Sequence, residues 1–271
     1  MLDYKEVKLP EDTKSEQLKE PFKPIQSARS LFHFVDKQEY LLEILEFQAL
    51  IPRYCREDVA YLNIKFKSLA YPMICFCDIN LHKITSHVEF YGKYGIAFSK
   101  NWGIQNKIQP IQYINENSPI QADFQEAFNA SLNSEVNDLT HDFLLTQMCY
   151  YKPLYGKMIR KDKKTGNIEE VRRTFTDECE WRYIPKVSSY KLKSVLMENE
   201  EFLRDDYNNA LKKANKCCLK FNWNDIRYII IESNDDFNKI VSILEAKIKD
   251  KDIKHRIISK IIIWNEMEGD F

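Results

Sequence analysis

Glycine is scarce, with six residues in a chain of 271. Neither a GxGxxG fingerprint nor a Walker A loop is present, which excludes the glycine-rich phosphate cradles. A charge excess of either sign is also missing: 40 basic residues face 41 acidic ones, for a net charge of −1. That balance argues against nucleic acid and against a membrane surface as partners. Long apolar runs are absent. Tyr228-Ile229-Ile230-Ile231, among the longest, falls far short of the roughly 20 residues of a membrane span. The N-terminus alternates in charge (Asp3, Lys5, Glu6, Lys8) and has no apolar core, so no signal peptide is expected. There is no CxxC among the seven cysteines, only Cys75-x-Cys77 and the adjacent Cys217-Cys218. The odd count and this spacing argue against a disulfide framework and against a metal site, and fit buried thiols in a reducing cytoplasm.

What is present is an ordinary globular composition, 44% hydrophobic and 30% charged, with 13% aromatics. Residues 1–28 read as a polar arm punctuated by Pro10, Pro21 and Pro24, and residues 29–271 as one folded body. Residues 30–35 form the first strand. Asp36 and Glu39 then suggest a capping box that opens an amphipathic helix over 37–48. Strands are expected at 73–77, 94–98, 109–114, 180–184, 219–221, 226–231 and 257–264. A hairpin spans 154–175 and turns at Lys164-Thr165-Gly166-Asn167. Helical spacing covers 120–149 and 200–214, and Ser233 with Asp236 caps another helix. Strands and helices mix without a βαβ rhythm. The expected fold is α+β, a single domain with a mostly antiparallel central sheet and peripheral helices.

Two strand-like runs each hold an ionisable group: Leu31-Phe32-His33-Phe34-Val35 and Cys179-Glu180-Trp181-Arg182-Tyr183. Burying an unpaired charge costs several kcal/mol or shifts its pKa by about 2–5 units. Two readings follow. His33 and Glu180 line a common cleft, or His33 is a satisfied core-edge histidine and Glu180 pairs with Arg182 or Arg172 on an exposed strand face; Trp181 reads as the buried anchor of its strand. Cys75 and Cys77 fall on one strand face, which reads as a buried apolar strand. The basic hairpin residues Lys157, Arg160, Lys161, Lys163, Lys164, Arg172 and Arg173 read as a solvated edge that resists aggregation.

The segments Leu31–Val35, Ile51-Pro52-Arg53-Tyr54-Cys55, Cys75-Phe76-Cys77-Asp78-Ile79, His87, Tyr91-Gly92-Lys93-Tyr94-Gly95-Ile96-Ala97-Phe98, Trp102 and Glu178–Tyr183 occur in this order. In them the chain resembles the AbiGi family, named as the antitoxin component of bacterial abortive phage-resistance systems. The resemblance runs from about residue 29 to the end and includes Ile261-Ile262-Ile263-Trp264-Asn265-Glu266. It implies a phage-defence role with a cognate toxin or other defence-system protein as partner. It also makes Arg53, Tyr54, Tyr91, Tyr94, Trp102 and Arg182 the candidate substrate- or partner-binding residues.

A weaker resemblance is to ADP-ribosyltransferase-like folds such as the DarT group, in which a His on the first core strand and a Glu on a late strand serve NAD. His33 and Glu180 match by order, and Cys75-Phe76-Cys77-Asp78 departs from the pattern by offering no hydroxyl. Two function classes therefore stand. One is an antitoxin-type binding protein without cofactor. The other is an NAD-using enzyme with His33 and Glu180 as catalytic residues and Tyr91 or Tyr94 against the nicotinamide ring.

Overall fold

A computed structural model describes residues 27–132, 138–161, 167–213, 217–268 and 270. The arm up to residue 26 and most of the hairpin turn expected at 164–167 lie outside these residues. In chain order the strands are β1 (Ser30–Val35), β2 (Ala49–Leu50), β3 (Arg53–Asp58), β4 (Ser68–Cys77), β5 (Tyr94–Ser99), β6 (Gln109–Pro110), β7 (Gln112–Ile114), β8 (Tyr151–Pro153), β9 (Tyr155–Lys161), β10 (Ile168–Thr174), β11 (Glu180–Tyr183), β12 (Leu196–Met197), β13 (Leu219–Lys220), β14 (Ile226–Ile231) and β15 (Ile261–Ile263). The helices are α1 (Gln38–Phe47), α2 (Thr85–Tyr91), α3 (Lys100–Gln105), α4 (Pro119–Ser131), α5 (Asp138–Met148), α6 (Arg204–Lys213), α7 (Asn234–Lys247), α8 (Lys251–Ile258) and α9 (Trp264–Met267).

The main sheet runs β15-β14-β5-β1-β4-β11-β6, and β3 and β12 pair with β4 as well. Every pairing in it is antiparallel except β14 with β15. The protein is thus α+β with a mostly antiparallel sheet, as its irregular alternation of elements predicts. β4 is the hub, ten residues long and buried along nearly its whole length. A strand covered on both faces reads as a continuous apolar run rather than an alternation.

Register sorts the side chains to two faces. Leu31, Ile74, Phe76, Ile96 and Phe98 join the core built with α1, α3, α7 and α8. Phe32, Cys77 and Ala97 join a second core with Val88 and Trp264 on the opposite face. Cys75 and Cys77 do share that second face, and all seven cysteines are free thiols. No described helix is long and apolar enough to cross a membrane.

Several local expectations are corrected. The first helix starts at Gln38 with Lys37 as its N-cap, and Asp36 makes no cap hydrogen bond. The expected last strand over 257–264 shortens to its middle: Ile257 and Ile258 end α8, residues 259 and 260 turn, and Trp264 opens α9. Asp250 caps α8 by accepting from the Ile253 N–H, and Ile253 and Ile257 take helical spacing against the core; only Ile261–Ile263 extends. The Ser233/Asp236 capping box is present.

Gly92 ends α2 at φ +140°, where a Cβ would lie 2.1 Å from the Val35 carbonyl oxygen. Neither the dihedral nor the space admits a side chain. Gly92→Ala is expected to lower unfolding free energy by about 2–3 kcal/mol through strain and overpacking, read by chemical denaturation. A variant as stable as the parent would contradict the tight approach of β1 and α2.

Candidate functional site

The charged cluster is built on the face of the sheet that carries Cys75 and Cys77. β11 pairs with β4 so that Glu180 opposes Cys77 and Arg182 opposes Cys75. Alternation therefore turns Glu180 and Arg182 to one side and Trp181 to the other. Arg182 is fully buried and Glu180 nearly so. Its Nε donates to Glu180 Oε1 at 2.6 Å and its Nη2 to Glu180 Oε2 at 3.1 Å, a bidentate fork. Nη2 also donates to Glu57 Oε2 at 2.8 Å, and Nη1 to Tyr71 Oη at 2.5 Å and the Cys149 carbonyl at 2.9 Å. These five hydrogen bonds use the full donor set of a guanidinium.

Lys152, on β8, extends the chain of charges. Its Nζ donates to Glu180 Oε2 at 2.9 Å and to Glu178 Oε2 at 2.7 Å. Glu178 Oε1 accepts from the Tyr91 hydroxyl and lies 3.9 Å from Arg173 Nη2. Three carboxylates (Glu57, Glu178, Glu180) thus meet three cations (Lys152, Arg173, Arg182) in one group, of which Glu57 and Arg173 are half-buried and the other four buried. Pairing at this density is what makes burial of four charges tolerable.

Burial alone pushes the Glu180 carboxyl up. Arg182 and Lys152 together outweigh it and hold the group well below the usual carboxylate range. The same carboxylates overcome desolvation and keep Lys152 charged. Burial pushes the Cys75 thiol well up, which favours its protonated form.

His33 does not share this site. Phe32 and Glu180 both register with Cys77, so Phe32 and Glu180 share a face and His33 points to the other one. There it rests against Phe76 at 5.7 Å and donates from Nδ1 to the Cys75 carbonyl at 2.8 Å. Burial pushes its pKa down, which keeps the ring neutral. The common cleft expected for His33 and Glu180 is not formed, because two strand positions of opposite parity cannot face one pocket. The ADP-ribosyltransferase likeness, which rests on that pair, gains no support from this geometry.

The remaining candidates divide by burial. Tyr54 is buried and donates to the Lys193 carbonyl at 2.5 Å. Trp102 is buried and stacks on Phe98 at 4.1 Å. Tyr94 donates toward Glu232 and Asp236, each 3.3 Å away. Tyr91 belongs to the charged cluster. Arg53 is exposed on β3. In Tyr91-Gly92-Lys93-Tyr94-Gly95, then, the two tyrosines tie α2 and β5 to buried carboxylates, and Gly92 permits the turn between them. Glu57, Tyr71, Lys152 and Glu178 complete the cluster without a sequence signal. They come from β3, β4, β8 and the turn before β11, and only tertiary folding gathers them.

The chain belongs to the AbiGi family of abortive phage-resistance proteins. The family model described as "Putative abortive phage resistance protein AbiGi, antitoxin" matches residues 48–232. A Lactococcus lactis subsp. cremoris protein named "Abortive phage resistance protein AbiGi" is 34% identical over 248 residues, covering 82% of this chain and all of that protein. No solved structure matches.

Proposed function

We propose that this chain is the antitoxin-type partner in a phage-defence system and acts by binding a toxin or another defence protein. The observation that carries this reading is the saturation of the charged cluster. Arg182 and Glu180, the ionisable pair of the family-like Glu-Trp-Arg motif, are engaged with each other and with Glu57, Tyr71 and Lys152. A guanidinium with all donors used and a carboxylate held by two cations have the character of a structural keystone. Recognition then falls to the surface that the keystone supports. The family description as an antitoxin agrees with this.

The test uses the natural locus. In-frame deletion of this gene, with its neighbours intact, is expected to arrest growth, and supply of the chain in trans is expected to restore it. Growth arrest caused by the chain expressed alone would overturn the proposal and favour an effector enzyme.

A further inference from the structure

The opposite side of β11 from the charged cluster opens onto a trough. Three clefts run together there, of about 470, 450 and 590 Å³. Cys218 and Lys220 line both the first and the second, and Lys107 lines both the second and the third. Among the described residues, no aspartate or glutamate lines any of the three. Lys107, Lys213 and Lys220 line it and make no ion pair among the described residues. Only Lys212, also at the wall, is engaged, by Glu43.

The trough also carries apolar surface. Ile104 and Phe47 are each 59% exposed at its two ends. Trp181, half-buried, presents its ring in the third cleft beside Tyr150. Phe143, 58% exposed, lies one helical turn before Gln147 of the same cleft and extends the apolar surface along α5. Exposed apolar and aromatic anchors rimmed by polar groups mark protein–protein contact sites.

We infer that this trough is the docking site for an acidic segment of the partner protein, carrying apolar side chains between its carboxylates. The inference rests on the antitoxin reading and adds where the partner binds. Charge complementarity decides the sign: three lysines without an ion pair among the described residues attract an anionic chain and repel a cationic one. The apolar anchors decide the class. A phosphate backbone gains nothing from Ile104, and three lysines supply few of the contacts that drive nucleic-acid binding. A polypeptide with carboxylates and large apolar side chains satisfies both.

The test is binding of the locus-encoded toxin to the full chain by calorimetry, at two salt concentrations. Lys107→Glu/Lys220→Glu is expected to weaken the complex at least tenfold and to leave the thermal melt unchanged. Ile104→Asp is expected to weaken it by a similar factor. Lys65→Glu/Lys251→Glu changes net charge equally on exposed positions away from the trough and should bind like the parent. Equal binding by parent and Lys107→Glu/Lys220→Glu, with the toxin bound by both, overturns the site and leaves the antitoxin reading intact. Failure of the parent chain to bind or neutralise the toxin overturns both. A fluorescein-labelled 20-nucleotide single strand is the third arm. Tight binding by the parent that is lost in Lys107→Glu/Lys220→Glu would overturn the inference in favour of a nucleic-acid groove.

Discussion

Arg182→Leu loses about 3–5 kcal/mol of folding stability, the usual cost of breaking a buried ion pair from one side. The loss comes chiefly from what stays behind. Glu180 keeps Lys152 as a partner but loses the bidentate fork, and Glu57 loses its only ion pair among the described residues. The Cys149 carbonyl and Tyr71 hydroxyl lose a donor as well. Leucine fills part of the volume and satisfies none of these atoms, and unsatisfied buried polar groups cost about 1–3 kcal/mol each. Arg182→Lys keeps the charge but cannot reproduce five donors in a planar fork, so an intermediate loss is expected. The double variant Glu180→Gln/Arg182→Leu should lose less than the sum of its single variants, because the second change removes a group that the first left stranded. Urea denaturation of the parent and the four variants measures all of this. Additive losses would show that the two residues do not act as a pair.

Glu180→Gln is expected to lose about 3–5 kcal/mol as well, leaving Arg182 and Lys152 short of a carboxylate in a closed space. It is also expected to change the acid dependence, whose sign follows from the depressed pKa. Unfolded, the carboxyl titrates near its ordinary value of 4.5; folded, it titrates lower. The folded state therefore binds fewer protons in that range. The stabilisation is complete above the ordinary carboxylate range and is lost as pH falls below it. His87 acts in the same direction at higher pH. Burial and the nearby Arg173 push its pKa down to about 4 from 6.5, so its contribution is complete above pH 6.5 and fades toward pH 4. The parent should thus lose stability in two overlapping stages on acidification, and Glu180→Gln should flatten the lower one. Melting temperatures from pH 7 to pH 3 separate the cases. A Glu180→Gln protein that melts like the parent at neutral pH, yet no longer supports phage defence, would return Glu180 to a direct functional role.

Trp181 shows how alternation divides a motif. In sequence, Trp181 reads as the buried anchor of its strand, and Glu180 as either a cleft residue or one paired on an exposed strand face. In the fold Glu180 is the buried one and Trp181 is half-buried at the trough. The face that carries Trp181 borders the cleft lined by Ile104, Lys107, Gln109 and Tyr150 and so stays partly open. The other face meets Tyr71, Cys149 and Lys152, which close over it.

Patterns local to a few residues were legible in the chain itself. Apolar periodicity placed β1, β5, β14 and most helices, since side-chain spacing of 2 or 3.6 depends on nothing beyond the segment. The α+β class followed from the order of those elements, and the absence of glycine-rich loops excluded phosphate cradles. Parity did not follow. Whether His33 and Glu180 face one pocket depends on the register of β1 and β11 against β4, and a shift of one residue moves every side chain to the opposite face. The charged cluster was equally out of reach, because Glu57, Lys152 and Arg182 lie far apart in the chain and share no spacing. Their meeting is set by long-range strand pairing, and the low dielectric of the closed face then makes each charge depend on the others. The tertiary structure alone decided that the most conspicuous ionisable residues of this sequence hold the fold together, and that a lysine-lined trough lies on the other side of the same strand.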